Sequence, residues 1–447
     1  MLPRNLPFSR ISVVGLGYIG LPTAAILAST GVEVVGVDIR QSAVAAINAG
    51  RIHIYEPGLE NLVKRVVDAG LLRAATLPEP ADAFVIAVPT PFSEGPEQLT
   101  PEPDLSFIRA AAESIAPVLK SGDLVILEST SPVGTTEKMA QWLQAVRPDL
   151  SFPQPGGTVV TDIHIAYCPE RVLPGRVLEE LVTNDRIIGG LSDTCSTAAM
   201  GLYHLFVEGD CIVTDARTAE LTKLTENAYR DVNIAFANEM ALICDRLDID
   251  VWELIRLANR HPRVRILNPG PGVGGHCIAV DPWFIVSSAP QQAKLIAQAR
   301  AVNDSRPPYV VSQVEQTART IDNPVIACLG LAFKPDIDDL RESPAMLVVK
   351  QLASKHCGTL LAVEPNIQAL PPELSALGVE LAQLDAALAR ADIAVILVDH
   401  KEFLAIDAKQ LSGKAVIDTR GLVSRLTNNT DVFRHSVSVP DLTRESV

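Results

Sequence analysis

The stretch Ile11-Ser-Val-Val-Gly15-Leu-Gly17-Tyr-Ile-Gly20 decides the fold. A short apolar strand runs into G-x-G-x-x-G, and the Ala-rich residues 21–29 follow as a helix, which is the order of a dinucleotide-binding βαβ unit. Gly15 allows the tight turn, Gly17 lets the backbone approach a pyrophosphate, and Gly20 lets helix and strand pack closely. The helix N-terminus then offers free N–H groups and a positive dipole end to phosphates. A second apolar run, 32–37, ends at Asp38, where a carboxylate can accept hydrogen bonds from ribose hydroxyls. An acid at that strand end disfavours a 2′-phosphate, so NAD is expected rather than NADP, with Arg40 as the one counter-signal. The alternative for the motif alone is a glycine-rich turn that binds nothing.

Outward from this unit, the runs 84–88 and 124–127 read as further strands. Pro89-Thr90 and Ser129-Thr130 follow their ends, where an open α/β sheet holds its ligands. The Pro-rich residues 89–103 form a surface loop and a candidate flap. Residues 215–247 contain neither Gly nor Pro and predict one helix long enough to act as a spine between domains or against a partner subunit. The last third returns to short apolar runs at 325–329, 360–363, 393–398 and 415–417. The predicted class is α/β, with two Rossmann-like doubly wound domains joined by a helical middle carrying a long central helix. The expected divisions are 1–210, 211–308 and 309–447.

At 447 residues the chain is too long for one core. Its formal charge of −15 argues against nucleic acid and anionic membranes as partners. The seven cysteines are odd in number and form no CxxC, as in a reducing compartment. The N-terminus lacks a signal-peptide core, and no apolar run approaches the roughly 20 residues of a membrane span. A cytoplasmic protein is expected, with no metal.

Three constellations go beyond cofactor binding. Lys223 and Asn227 stand one helical turn apart, with Glu220 and Arg230 extending the face; Lys and Asn together can stabilise an alkoxide at a hydride-donating carbon. The same spacing also suits a solvated face with Glu–Lys pairs. The segment Gly270-Pro-Gly-Val-Gly-Gly-His-Cys277, followed by Asp281, can wrap a ligand and present an activated thiol; an inert core cysteine is the alternative, and the other six are expected to be that. Gly330-Leu-Ala-Phe-Lys334 places a lysine after a strand end, where it suits a phosphate or is merely a surface lysine. Together these parts suggest a four-electron oxidation of an alcohol through an aldehyde, a thiohemiacetal and a thioester.

These motifs resemble the UDP-glucose/GDP-mannose dehydrogenase family. GLGYIGLP at 15–22, VPTP at 88–91, ESTSPVGTTE at 128–137, CPERVLPG at 168–175, KLTEN at 223–227, GPGVGGHC at 270–277 and GLAFKPDIDDLRESPA at 330–345 occur in the family's order. NRHPRV at 259–264 and PGVGGHCIAVDPWF at 271–284 are similar to its bacterial branch acting on UDP-N-acetyl-D-mannosamine, which serves surface polysaccharides such as enterobacterial common antigen. The resemblance implies Cys277 as nucleophile, Lys223 and Asn227 on the reacting oxygen, Asp281 in thioester hydrolysis, and Glu170 as the Glu of a PE motif. It implies NAD contacts at Tyr18, Ile19, Asp38, Thr90, Thr130 and Arg341. Contacts to the UDP-sugar are implied at Arg171, Val172, Arg230, Gly274, Phe333, Lys334 and Arg420. His261 and Arg263 fall where a neighbouring subunit reaches the sugar nucleotide, so a homo-oligomer, at least a dimer, is expected. Pro174 stands where UDP-glucose enzymes carry a second Glu, which argues against glucose. Oxidation of UDP-N-acetylglucosamine is the alternative activity, and a non-catalytic nucleotide-sugar-binding protein is the alternative of another class.

Overall fold

Each apolar run predicted as a strand lies in one of two sheets, the first parallel but for one strand pair and the second wholly parallel. The computed structural model describes residues 8–93, 101–275 and 278–427. It divides into two units, Met1–Glu226 with Trp283–Ala293, and Asn227–Pro282 with Lys294–Val447.

The first unit contains β1 (Arg10–Val14), β2 (Glu33–Val37), β3 (Leu72–Ala75), β4 (Ala83–Ile86), β5 (Leu124–Leu127), β6 (His164–Tyr167), β7 (Arg186–Gly190) and β8 (Cys211–Asp215). Their order is β3-β2-β1-β4-β5-β6-β7-β8, and only the β6–β7 pair is antiparallel. Sequence order reverses between β1 and β4, the switch point at which such sheets bind ligands. Val14 pairs with Val37 on one side and Ile86 on the other, so three strands end level there. Side chains of β1 alternate between two cores, Ile11 and Val13 on one face and Val14 on the other. Burial on both faces is why these strands read as continuous apolar runs. The sequence pattern did not single out β3 or β6–β8. β8 is an edge strand with an exposed or half-exposed face throughout, and its apolar run is only Cys211-Ile-Val213.

The long helix spans Ala216–Leu247. Asp215 ends β8 instead of entering the helix, and its carboxylate accepts from the Thr218 backbone N–H at 3.0 Å and hydroxyl at 2.6 Å, an N-cap.

The second unit contains β9 (Val325–Leu329), β10 (Thr359–Val363), β11 (Glu380–Leu381), β12 (Ile393–Ile396) and β13 (Ala415–Asp418), all parallel in the order β11-β10-β9-β12-β13. Its switch point lies between β9 and β12, and cores cover both faces. The helix Lys294–Ala318 runs through Pro307-Pro308. No described helix is long and apolar enough to cross a membrane.

Candidate active site

At the first switch point the three glycines play separable parts. Gly15 has φ +94°, and a Cβ there would lie 2.6 Å from the Ala87 carbonyl oxygen; one at Gly20 would lie 1.8 Å from the Gly15 oxygen. A Cβ on Gly17 would meet nothing within 4 Å, so that glycine leaves space for a ligand. Asp38 is buried at the end of β2 and accepts from the Leu16 N–H at 3.2 Å and the Arg40 backbone N–H at 2.9 Å. The Arg40 guanidinium also donates to it at 3.1 Å. Burial pushes the Asp38 carboxyl up, but the Arg40 and Leu16 hydrogen bonds outweigh this and hold it below its ordinary value. The Arg40 guanidinium, the counter-signal in the sequence, is thus paired with Asp38. Thr90, beyond the end of β4, is buried with its hydroxyl unpartnered, and Thr130 is half-buried beyond β5. Tyr18 is exposed and Ile19 half-buried on the turn. An open glycine, a carboxylate at the end of β2 and an orphan hydroxyl fit a dinucleotide.

Lys223 donates to the backbone carbonyl of Glu170 at 2.6 Å. The Glu170 carboxyl is buried with Oε1 unpartnered; burial raises its pKa, and Lys223 and Arg186 only partly oppose this. Arg171 pairs with Glu226 at 2.6 Å, and Val172 is half-buried. Beneath them lies a cluster that no spacing in the sequence signals. Glu128 accepts from the Tyr203 hydroxyl at 3.3 Å and lies 3.8 Å from Arg186, which stacks over the Tyr203 ring. Burial pushes Glu128 up to about 7. Glu220 does not extend the Lys223 face. It is buried and accepts from the Gly134 and Thr136 N–H groups, capping the helix Thr135–Val146.

In the second unit Asn227 donates to Asp281 at 2.5 Å, with Asp281 buried at the start of the helix Asp281–Ser288. Arg230 is exposed on the long helix. Cys277 and His276 lie outside the described residues. The loop that leads to them is anchored at Gly270, whose N–H donates to Asn238 Oδ1 at 2.9 Å and whose carbonyl accepts from Arg306 at 3.0 Å. A cleft at the second switch point is lined by Gly272, Phe333, Lys334, Pro344, Val398 and Arg420, among others. Gly274 packs on its wall: a Cβ there would lie 2.4 Å from the Glu342 oxygen and 2.9 Å from Phe333 Cβ. The helix Pro344–Ser354 starts at the cleft. Lys334, Arg420 and that helix N-terminus are the groups a pyrophosphate takes. Arg420 also pairs with Asp399 at 2.9 Å. His261 and Arg263 are exposed beyond the helix Val251–Ala258, and Arg341 is exposed with its guanidinium on Asp339.

Family models match three consecutive stretches: the NAD binding domain of the UDP-glucose/GDP-mannose dehydrogenase family at 9–207, its central domain at 217–305 and its UDP binding domain at 327–425. The chain belongs to this family. It is an NAD-dependent UDP-sugar dehydrogenase. It is 63% identical over 420 residues to an NDP-N-acetyl-D-galactosaminuronic acid dehydrogenase of Ralstonia nicotianae, covering 94% of this chain and 97% of the relative. The UDP-N-acetyl-D-mannosamine dehydrogenase of Escherichia coli is 59% identical over 425 residues, covering 93% of this chain and 100% of the relative. Among solved structures, a UDP-D-ManNAc dehydrogenase from Pyrococcus horikoshii aligns with TM-score 0.80 at 39% identity, covering 92% of this chain and 96% of that one.

Proposed function

We propose that the chain oxidises UDP-N-acetyl-D-mannosamine at C6 to UDP-N-acetyl-D-mannosaminuronate. The observation that carries this reading is the 59% identity, over nearly the whole chain, to the E. coli enzyme that bears that substrate's name. Pro174 in place of a second Glu agrees with a pocket that does not take glucose. A second reading, an N-acetylgalactosamine nucleotide, is favoured by the 63% identity to the Ralstonia protein. A panel of UDP-N-acetylmannosamine, UDP-N-acetylgalactosamine, UDP-N-acetylglucosamine and UDP-glucose, read by NADH absorbance, tests it. A preference of kcat/KM for UDP-N-acetylgalactosamine would replace the first reading with the second.

NAD bound at the first switch point supplies the hydride acceptor for each oxidation. Lys223 and Asn227 hold the oxygen on C6. One amide proton of Asn227 is spent on Asp281, which orients the amide and leaves its second proton for the substrate oxygen. The Cys277 thiolate adds to the aldehyde carbon; the thiohemiacetal gives up the second hydride, and water cleaves the thioester to release carboxylate and thiol. Asp281 and the buried Glu170 are the carboxyl groups available to handle that water. Gly15, Gly17, Tyr18, Ile19, Gly20, Asp38, Thr90, Thr130 and Arg341 contact NAD. On the UDP-sugar side the contacts are Arg171, Val172, Arg230, Gly274, Phe333, Lys334 and Arg420.

Functional divisions at 1–210, 211–308 and 309–447 follow the order of the family models, with residue 308 inside the connecting helix Lys294–Ala318. The protein works in the cytoplasm as a homodimer or larger assembly, and its product feeds surface polysaccharide of the enterobacterial-common-antigen type. Tyr229, Phe236 and Ile243 support self-association: they are exposed at seven-residue spacing on one face of the long helix, as a partner helix from a second copy would require. His261 and Arg263 then reach the neighbour's substrate.

A further inference from the structure

The loop that carries Phe333 and Lys334 is pinned from behind by two buried residues that do not line the cleft. His400 is 0% exposed. Its Nδ1 lies 3.0 Å from the backbone N–H of Asp336 and its Nε2 lies 2.9 Å from Glu364 Oε2. A backbone N–H can only donate, so Nδ1 must carry the lone pair and Nε2 the proton, which it donates to Glu364. The same Glu364 oxygen accepts from the N–H groups of Leu331 at 2.8 Å and Ala332 at 3.0 Å. The pair thus holds both ends of the loop, Leu331-Ala332 through the carboxylate and Asp336 through the imidazole. Between these anchors stand Phe333, Lys334 and Pro335, all on the cleft.

Two observations say that the loop needs such an anchor. Asp336 has φ +61°, a left-handed conformation that a non-glycine residue keeps only when its surroundings impose it. Its carboxylate is clamped as well, accepting the Lys401 N–H at 3.0 Å. The second observation is a comparison of the two sheets. In the first, Asp38 accepts from Leu16 N–H, and its other oxygen from Arg40 N–H. In the second, Glu364 accepts from Leu331 N–H and, on its other oxygen, from Asn366 N–H at 3.1 Å. Gly15 and Gly330 both sit at φ +94°. The same turn is built twice, but the second carboxylate is consumed by an imidazole and closed to a ribose.

We infer that His400, with Glu364, is a positioning residue of the UDP site: its neutral imidazole sets the height of the 331–336 loop, and so the reach of Lys334, without touching the nucleotide. The inference rests on the reading that Lys334 and Arg420 hold the UDP pyrophosphate. It is tested on the full-length protein by calorimetric titration with UDP, with NAD titrated in parallel and thermal midpoints recorded. His400→Asn places an amide oxygen where Nδ1 stood and keeps the Asp336 anchor. His400→Gln reaches the Nε2 position and keeps only the Glu364 bond. Loss of one buried anchor at a binding loop predicts UDP affinity about tenfold weaker in His400→Ala and His400→Gln, with His400→Asn within about threefold of wild type and NAD affinity unchanged. Glu364→Gln, which keeps the side-chain volume, weakens UDP in the same sense and serves if His400→Ala does not fold. Unchanged UDP affinity in His400→Ala overturns the inference, and so does a parallel loss of UDP affinity, NAD affinity and thermal midpoint in all three His400 variants. Lys334→Ala separates the two levels. If it weakens UDP binding and His400→Ala does not, the inference alone fails; if Lys334→Ala leaves UDP binding unaltered, the reading of the cleft fails and takes the inference with it.

Discussion

Replacing Asn238 with Leu tests how the Gly-rich loop before Cys277 is held. Asn238 is buried on the long helix; its Oδ1 accepts the Gly270 N–H at 2.9 Å and its Nδ2 donates to Asn303 Oδ1 at 2.8 Å. Asn303 in turn donates to Asp231 Oδ1 at 2.8 Å, which also takes Arg300 at 2.6 Å. The chain has one direction, because the Gly270 N–H can only donate, so neither amide can flip. Leu has nearly the shape of Asn but leaves two buried groups, the Gly270 N–H and Asn303 Oδ1, without partners. Each costs about 1–3 kcal/mol, so the gross loss is about 2–6 kcal/mol. Burying the Leu side chain returns about 1–2 kcal/mol, for a net loss of about 0–5 kcal/mol, centred on ~2.5 kcal/mol. With a slope of about 2–3 kcal/mol per molar urea, the midpoint falls by roughly 1 M. Trp252 belongs to the same unit and reports on it by fluorescence in a Trp142→Phe, Trp283→Phe background. Amide exchange at residues 270–275 accelerates, and kcat falls while the KM for NAD does not move. Asn238→Asp extends the test. The new carboxyl keeps the Gly270 bond but must hold a proton to reach Asn303, so its folded pKa is raised and the variant loses stability as pH rises through it. Stability of Asn238→Leu within about 0.5 kcal/mol of wild type, with unchanged exchange at 270–275, refutes the anchoring role.

Cys277→Ser leaves NAD binding intact and blocks full turnover; two NADH form per sugar in the wild type, and acid production at the normal rate by the variant would remove the covalent step. Gly17→Ala folds with an unchanged thermal midpoint, because its Cβ meets nothing, yet loses NAD affinity; Gly20→Ala, whose Cβ would strike the Gly15 carbonyl, lowers the midpoint. Unaltered NAD binding in Gly17→Ala would mean that the turn does not face the pyrophosphate. Burial raises the Glu128 pKa to about 7 from an unfolded value near 4.5, so its contribution to stability is full below the unfolded value and is lost as pH rises through 7. Glu128→Gln therefore shrinks the fall in thermal midpoint between about pH 5 and pH 8, and an unchanged fall would assign that dependence elsewhere.

Sequence legibility followed the range of the interactions. The β1 turn and Asp38 were readable because strand, glycines and carboxylate are local and their spacing is a backbone requirement. The long helix was readable because nothing in 216–247 breaks it. The Asn227–Asp281 bond joins residues already singled out, but nothing in their spacing indicates contact. Periodicity assigned Glu220 to the Lys223 face, yet the chain 84 residues earlier supplies the unpaired N–H groups of a helix start, and these hold its carboxylate inward. Periodicity names a face and not a partner. His400 stands in the polar run Asp399-His-Lys-Glu402, which reads as surface, and is fully buried because loops from three strand ends close over it. Glu364 did carry a signal: it follows the apolar run of β10 as Asp38 follows that of β2.

That repeat explains why one topology can hold two different nucleotides. In both sheets a glycine at φ +94° turns the chain after the first strand, and an acid at the end of the second accepts the next N–H. In the first sheet the acid holds the Leu16 N–H and pairs with Arg40 at the surface, and Gly17 leaves the phosphate path open. In the second, one oxygen of a longer acid reaches two successive N–H groups, the other takes the Asn366 N–H, and an imidazole fills the remaining space. The loop becomes rigid where the first remains open, and binding shifts to Lys334, Arg420 and the helix that starts at Pro344. A Glu rather than an Asp at position 364 is what makes the exchange possible, since the extra methylene lets one oxygen serve Leu331, Ala332 and His400 together. Glu364→Asp should therefore weaken UDP binding although it conserves the charge, whereas a purely electrostatic role at that position would leave UDP affinity unchanged.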